Sequence, residues 1–204
     1  IASYFPHPRA HGPFYLANSE ELYVDETGEP AGFVFKTLSD PYVGRMSFIK
    51  VLSGYLEPGM ELTNARSKKK ERLSHLYVMM GKEPMDVKSA KAGDIIVVPK
   101  MNETKTGDTL SLSGDIEVDP LPSPVPLYPI ALEAENKKDE DKLGTFLSKQ
   151  AEIDPTLRLV RYEETHQQVA FTMGDMHVDV LLNKLKNQAK IEAHLVPVRI
   201  PYRE

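Results

Sequence analysis

Between residues 120 and 126 the chain reads Pro120-Leu121-Pro122-Ser123-Pro124-Val125-Pro126. Every second residue there lacks a backbone N–H, so neither a helix nor an interior sheet ladder can run through the segment. A chain interrupted in this way builds its cores separately on the two sides. The flanks then read as two different kinds of structure.

Upstream, strands are predicted at residues 32–38, 45–51, 71–78 and 94–98, all short and β-branched or aromatic-rich. Turn signals separate them at Asp40-Pro41, Pro58-Gly59, Lys91-Ala92-Gly93-Asp94 and Thr106-Gly107-Asp108. Many short strands at this spacing predict a closed β-barrel over residues 31–119, because closure removes the edges that invite pairing between molecules. Residues 1–30, with Pro6-His7-Pro8 and an acidic stretch from Glu20 to Glu29, show no sustained period and read as a connector.

Downstream the pattern alternates. Residues 127–134 read as a strand, and Asn136 is placed to cap a helix with Asp139 three residues on, a capping-box variant. Leu143, Phe146, Leu147 and Ala151 fall on one apolar stripe, and the helix is expected to stop before Asp154-Pro155. Strands follow at 157–162 and 168–173. Val178, Leu181, Leu182, Leu185 and Ala189 then trace a second helix from Asp175, and 191–198 reads as a last strand. The order β-α-β-β-α-β is that of ferredoxin-like sandwiches. The fold class predicted is therefore multi-domain β and α+β: a connector at 1–30, a barrel at 31–119, a proline-rich linker at 120–126, an α/β sandwich at 127–198 and the start of a further domain at 199–204.

Composition narrows the function classes. The chain has no Cys, which excludes disulfide scaffolds, thiolate nucleophiles and Cys-ligated zinc. No apolar run reaches the roughly 18 residues of a spanning helix, so no membrane partner and a cytoplasmic location are expected. The formal charge is −5, and residues 31–120 hold 13 basic against 12 acidic side chains, far from the basic excess of an autonomous nucleic-acid binder. Any RNA contact must come from a local cluster. The chain opens on Ile1 with no initiator Met and is expected to be a piece of a longer protein.

Candidate chemistry is sparse. There is no G-x-x-x-x-G-K-[ST] phosphate loop and no G-x-G-x-x-G. Met173-Gly174-Asp175 lies at a strand-to-helix junction that could meet an anion, although a tight turn with a dipole-complementing Asp explains it more simply. His177 and Asp179 stand two apart on a helix and so diverge, and His7, His11, His75, His166 and His194 are scattered, which leaves no metal-ligand set. Ser67-Lys68-Lys69-Lys70-Glu71-Arg72 is the densest basic run. It reads equally as a phosphate contact and as a charged guard on a strand edge. The carboxylates Glu133, Glu135, Asp139, Glu140 and Asp141 read as solvation and dipole complementation at a helix start.

Taken together, these motifs resemble the translation elongation factor G family of ribosomal translocase GTPases. The run from Phe35 through Asp40-Pro41-Tyr42-Val43-Gly44-Arg45 to Phe48 is similar to that family's F-K-x-x-x-D-P-Y-V-G-R-L-x-F. Ser53-Gly54, Lys69-Lys70-Glu71-Arg72, Ala92-Gly93-Asp94-Ile95 and Thr106-Gly107-Asp108-Thr109-Leu110 follow in the family's order. Asp154-Pro155-Thr156-Leu157-Arg158, Glu163-Glu164-Thr165-His166-Gln167, Met173-Gly174-Asp175-Met176-His177 and the closing Pro201-Tyr202-Arg203-Glu204 continue it.

The resemblance implies the second and third domains of such a factor, acting as a ribosome-docking and coupling segment in tRNA and mRNA translocation. Its implied partners are small-subunit ribosomal RNA and protein and the factor's own GTPase and distal domains, with the factor a monomer. GTP and Mg2+ would belong to the GTPase domain, leaving this chain without catalytic, cofactor-binding or metal residues and inactive alone. Lys68, Lys69, Lys70 and Arg72 are the candidates for RNA phosphate contact. His177, Leu181 and Lys184, at i, i+4 and i+7, are the candidates for an interdomain surface where the family's inhibitor fusidic acid is expected to lodge; Leu181 reads equally as core. The chain departs from the family pattern at His166, Thr172 and Val196-Pro197-Val198-Arg199. The alternatives are a divergent paralogue acting in ribosome rescue, recycling or tetracycline protection, and, from another class, a stand-alone RNA- or protein-binding module.

Overall fold

A computed structural model describes residue 4 and residues 6–40, 44–120, 122–165 and 167–199, and in it the chain divides into two units, Ile1–Leu121 and Pro122–Glu204. Pro41-Tyr42-Val43, Leu121, His166 and the closing Pro201-Tyr202-Arg203-Glu204 lie outside the described residues.

The first unit contains β1 (Phe14–Tyr15), β2 (Glu21–Leu22), β3 (Ala31–Asp40), β4 (Gly44–Ser53), β5 (Tyr55–Leu56), β6 (Glu61–Asn64), β7 (Lys70–Arg72), β8 (Tyr77–Met80), β9 (Glu83–Asp86), β10 (Ala90–Lys91), β11 (Ile95–Pro99) and β12 (Thr109–Ser111). Eight of them form one sheet in the order β7-β6-β12-β3-β4-β11-β8-β9. Alternate residues of the strands, Val34, Ile49, Val51, Leu56, Leu62, Ile96, Val98 and Leu110, point inward to a core that Leu73, Leu76 and Met101 complete from the connections. The expected barrel is thus present as a curled sheet whose ladder has two ends, β7 and β9. Charge and proline guard those ends: Lys70 and Arg72 are exposed on β7, and β9 is exposed throughout and contains Pro84.

The single strand expected over 71–78 is broken in two. Leu73 and Leu76 are both fully buried. Residues three apart face opposite sides of a continuous strand, so the chain leaves the ladder between them to bury both. The Leu73 N–H donates to the Met60 carbonyl at 2.9 Å, and the Leu73 carbonyl accepts from the Gly59 N–H at 2.6 Å.

The second unit contains β13 (Tyr128–Ala134), α1 (Glu140–Ile153), β14 (Arg158–Tyr162), β15 (Gln167–Thr172), α2 (Asp175–Lys184) and β16 (Ala193–Val196). Its antiparallel sheet runs β14-β15-β13-β16, the strand order of the split βαβ sandwich predicted. Leu143, Leu147, Leu157, Val178, Leu181 and Leu185 fill the core between the helices and the sheet.

Two local details differ from the sequence pattern. Asn136 makes no side-chain cap; a 3-10 turn at Lys137–Asp139 precedes α1, and the Glu140 carboxylate instead accepts from the Ala134 N–H at 3.0 Å. Glu140 therefore ties the helix start back to the strand before it. Secondly, α2 does not continue as an α-helix through Ala189 but passes into a π turn at Leu185–Ala189, closed by Lys190 in the left-handed region. That turn keeps Leu185 and Ile191 in the core while redirecting the chain into β16.

Gly54, between β4 and β5, has φ +63°, and a Cβ there would lie 2.6 Å from the Gly28 carbonyl oxygen and 2.8 Å from the Pro30 nitrogen. Both neighbours are backbone and cannot turn aside. Gly54→Ala is expected to cost about 2 kcal/mol or more, measured as a lower urea midpoint. An unchanged midpoint would contradict the close packing described.

Candidate functional site

The basic run begins in the turn between β6 and β7 and continues as β7. Asn64, buried at the end of β6, organises it: its side-chain Oδ1 accepts from the Arg66 N–H at 3.0 Å and the Ser67 N–H at 3.1 Å. Its backbone pairs with the Lys68 N–H at 2.8 Å and the Lys69 carbonyl at 2.9 Å. Lys68 occupies the left-handed region with φ +55°. A short polar side chain bonded to the following backbone N–H groups holds such a turn without needing glycine at every bend.

The four cations expected to meet RNA do not share one environment. Lys68 donates its Nζ to the Gly114 carbonyl at 3.0 Å, and Lys69 pairs with Glu103 at 2.8 Å. Lys70 and Arg72 are exposed on the outward side of β7, and among the described residues no carboxylate pairs with either. Between them Glu71 points inward and is 7% exposed. Its Oε1 accepts from the Glu103 N–H at 2.7 Å, the Thr104 N–H at 3.0 Å and the Thr104 hydroxyl at 3.0 Å. The period-two alternation of the strand therefore separates two roles within Lys70-Glu71-Arg72.

A second buried carboxylate completes the scaffold. Asp108, 5% exposed, receives Arg66 in a fork, Nε to Oδ1 at 2.7 Å and Nη2 to Oδ2 at 2.9 Å. It also accepts from the Asn64 amide at 2.7 Å and the Lys105 N–H at 2.8 Å. Burial alone pushes the Asp108 carboxyl up, but the Arg66 guanidinium, the Asn64 amide and the Lys105 N–H together outweigh it and hold the group below its ordinary value. At Glu103 the ammonium of Lys69, by hydrogen bond and charge, likewise lowers the carboxyl. The β6–β7 turn and the loop from β11 to β12 are thus held together by Asp108, Glu71 and the Lys69–Glu103 pair.

In the second unit, His177, Leu181 and Lys184 do lie along one side of α2, and that side meets α1. Leu181 is buried in the core, the second of the two readings given for it. Lys184 donates to the Gln150 Oε1 at 3.2 Å. The half-buried His177 ring accepts at Nδ1 from the Met173 N–H at 3.3 Å and places Nε2 3.4 Å from Asp154. With Nδ1 accepting, the ring proton sits on Nε2, facing that carboxylate. Asp154 also accepts from the Thr156 N–H at 2.9 Å and the Thr156 hydroxyl at 2.6 Å. The Asp154-Pro155-Thr156 and Met173-to-His177 motifs, separate in sequence, therefore meet as a clasp between the end of α1 and the start of α2. Gly174 is the N-cap of α2, and the Asp175 carboxylate already occupies the first turn, so the junction is not arranged for an anion. Among the described residues no group of three His, Cys, Asp or Glu side chains is placed to hold a metal ion.

Sequence reasoning does not find Arg66, Glu71, Lys105 and Asp108 as members of one assembly. The signal is present only as a turn: Thr106-Gly107-Asp108 announces its bend and not the destination of its carboxylate.

Two family models match the chain in series. Residues 29–113 match the model described as elongation factor G domain 2, and residues 123–197 match elongation factor G, domain III. The chain is also similar to a crystal structure from Thermus thermophilus, at 33% sequence identity and a TM-score of 0.73. That similarity covers 86% of this chain and 27% of the other, so the chain spans about a quarter of the solved protein's length.

Two substitutions test the scaffold. A carboxyl held below its ordinary value of 3.8 contributes stability that is fully present above that value and lost as pH falls through the lowered one. Asp108→Asn is expected to cost about 2 kcal/mol near pH 7 and to flatten the acid side of the stability profile, read by urea unfolding between pH 7 and pH 3. His177→Ala leaves the Met173 N–H without its acceptor and is expected to cost about 1 kcal/mol. His177→Gln, which restores an acceptor, should recover part of it in the same assay.

Proposed function

Because the chain belongs to the elongation factor G family of translation factors, we propose that it is the ribosome-docking and coupling segment of a GTP-dependent factor that promotes movement of tRNA and mRNA. The observation that carries this reading is the serial match to domains 2 and III, at 29–113 and 123–197. The chain has no phosphate loop, so GTP and Mg2+ would be held by a domain of the parent outside it. The partners in this reading are small-subunit ribosomal RNA and protein, together with the parent's GTPase and distal domains.

The first unit supplies a rigid cationic rim. Lys70 and Arg72 face outward with no carboxylate partner among the described residues, which is the arrangement that neutralises phosphates. Lys68 and Lys69, already engaged, contribute mainly by shaping the turn. The second unit supplies stiffness: the His177–Asp154 and Lys184–Gln150 contacts hold α2 to α1, so a load applied to one helix reaches the other. In this reading the α2 side carrying His177, Leu181 and Lys184 supports an interdomain surface of the fusidic-acid type from beneath.

A paralogue acting in ribosome rescue, recycling or tetracycline protection is the second reading, and Thr172 favours it. Thr172 stands where the resembled family pattern has glycine, and its hydroxyl donates to the Tyr128 carbonyl at 3.2 Å, a bond that glycine cannot make. Translocation assayed on the full-length parent separates the two: stimulated tRNA movement supports the first, and ribosome-dependent GTP turnover without movement supports the second.

For the docking claim, Lys70→Gln and Arg72→Gln in the parent should each reduce the slope of log affinity for ribosomes against log salt by about 0.7 to 0.9. Lys68→Gln and Lys69→Gln should reduce it less. Binding that is indifferent to all four changes across a salt titration would remove the basis for an RNA contact here.

A further inference from the structure

We propose that Arg66 and Lys105 form a two-point clamp for an RNA phosphodiester at the cleft beside Asp108. The assignment rests on the ribosomal reading above and deepens it by naming the groups that meet the backbone. Neither residue belongs to the basic run that the sequence singles out as cation-rich between Ser67 and Arg72.

The first observation is that Arg66 is fixed and yet open. Its Nε and one face of Nη2 are bound by Asp108, and Nη2 also donates to the Glu103 carbonyl at 3.0 Å. Its side chain is nevertheless 46% exposed, and Nη1 has no partner among the described residues. A guanidinium clamped on one edge by a buried carboxylate presents its other edge with little orientational freedom left to lose. The second observation is that Lys105 is anchored by its backbone, not by its side chain. Its N–H donates to Asp108, and among the described residues its ammonium makes no ion pair, although its charge helps to lower the Glu103 carboxyl. The carboxylate that orients Arg66 thus also positions the Cα from which Lys105 projects.

Both residues line one cleft of about 280 Å³, together with Thr106, Gly107, Asp108, Glu117 and Pro120. Glu117 disfavours a free anion that touches only this cleft. A polyanion is different, because the Lys69–Glu103 pair joins this loop to the β6–β7 hairpin, whose β7 carries Lys70 and Arg72. One backbone can then meet several cations held on one piece of structure, and its phosphates outweigh a single carboxylate. The division of labour follows from charge: Asp108 already neutralises Arg66, which leaves Arg66 to supply directed hydrogen bonds and Lys105 to supply net charge.

The test is binding of the full-length parent to isolated small ribosomal subunits across a salt titration. Lys105→Gln is expected to lower the salt slope by about 0.7 to 0.9, with an unchanged unfolding midpoint because its side chain holds nothing in place. Arg66→Lys keeps the charge but loses the open edge, and is expected to weaken binding roughly tenfold at every salt concentration, the size of one charge-assisted hydrogen bond, with the slope preserved. Inorganic phosphate at millimolar concentration should not compete. If Lys105→Gln binds like the wild type while Lys70→Gln and Arg72→Gln are weakened, the clamp is overturned and the ribosomal reading stands. If inorganic phosphate displaces the subunits through this cleft, it is a free-anion pocket and the RNA assignment fails. A parent that binds no subunits at any salt concentration overturns both.

Discussion

One buried carboxylate organises the first unit. Asp108 sits at the entry to β12, the strand flanked by β6 and β3, and gathers donors from Asn64, Arg66 and the Lys105 backbone. Leaving a carboxylate this deep without partners costs several kcal/mol, so the loop that delivers Lys105 and the turn that delivers Arg66 have one arrangement that satisfies it. Glu71 repeats the logic from β7, drawing in Glu103 and Thr104. The exposed cations are therefore carried by loops that are rigid for reasons unrelated to their own charge.

This arrangement explains why the motifs of the family can be recognised while their roles stay hidden in the sequence. In Thr106-Gly107-Asp108-Thr109-Leu110 the carboxylate binds a guanidinium 42 residues away, and Thr109 accepts from the Val118 N–H at 3.0 Å. In Lys69-Lys70-Glu71-Arg72 the acid faces in and two of the cations face out. Ala92-Gly93-Asp94 closes a turn, with Asp94 accepting from the Lys91 N–H at 2.9 Å. Most of the recognisable letters are staples and bends, and the surface they create is a secondary product of them.

What is legible in the residues is what depends on short range. Strand alternation, the Leu143–Leu147 stripe and the stop at Asp154-Pro155 each follow from neighbours within about one or two turns of chain. The break between Leu73 and Leu76 is not legible, because it depends on both leucines sharing a core assembled from distant strands. Nor are the partners of Lys68 and Lys69, which lie on the loops holding Gly114 and Glu103. Charge in a run announces itself, whereas its engagement depends on residues 34 to 46 positions away.

The π turn at Leu185–Ala189 bears on how this domain can change in length. Such a turn holds one residue more than an α-helix closing the same bond. Shortening it by one would relax the helix, but it would also feed β16 into the sheet one residue out of step. His194 would then take the position of Ala193 opposite Ala134, and every side chain of that edge strand would exchange faces. The stretch is therefore intolerant of deletion although much of its surface is open to substitution, and lineages of such chains are expected to vary there in letters and not in length.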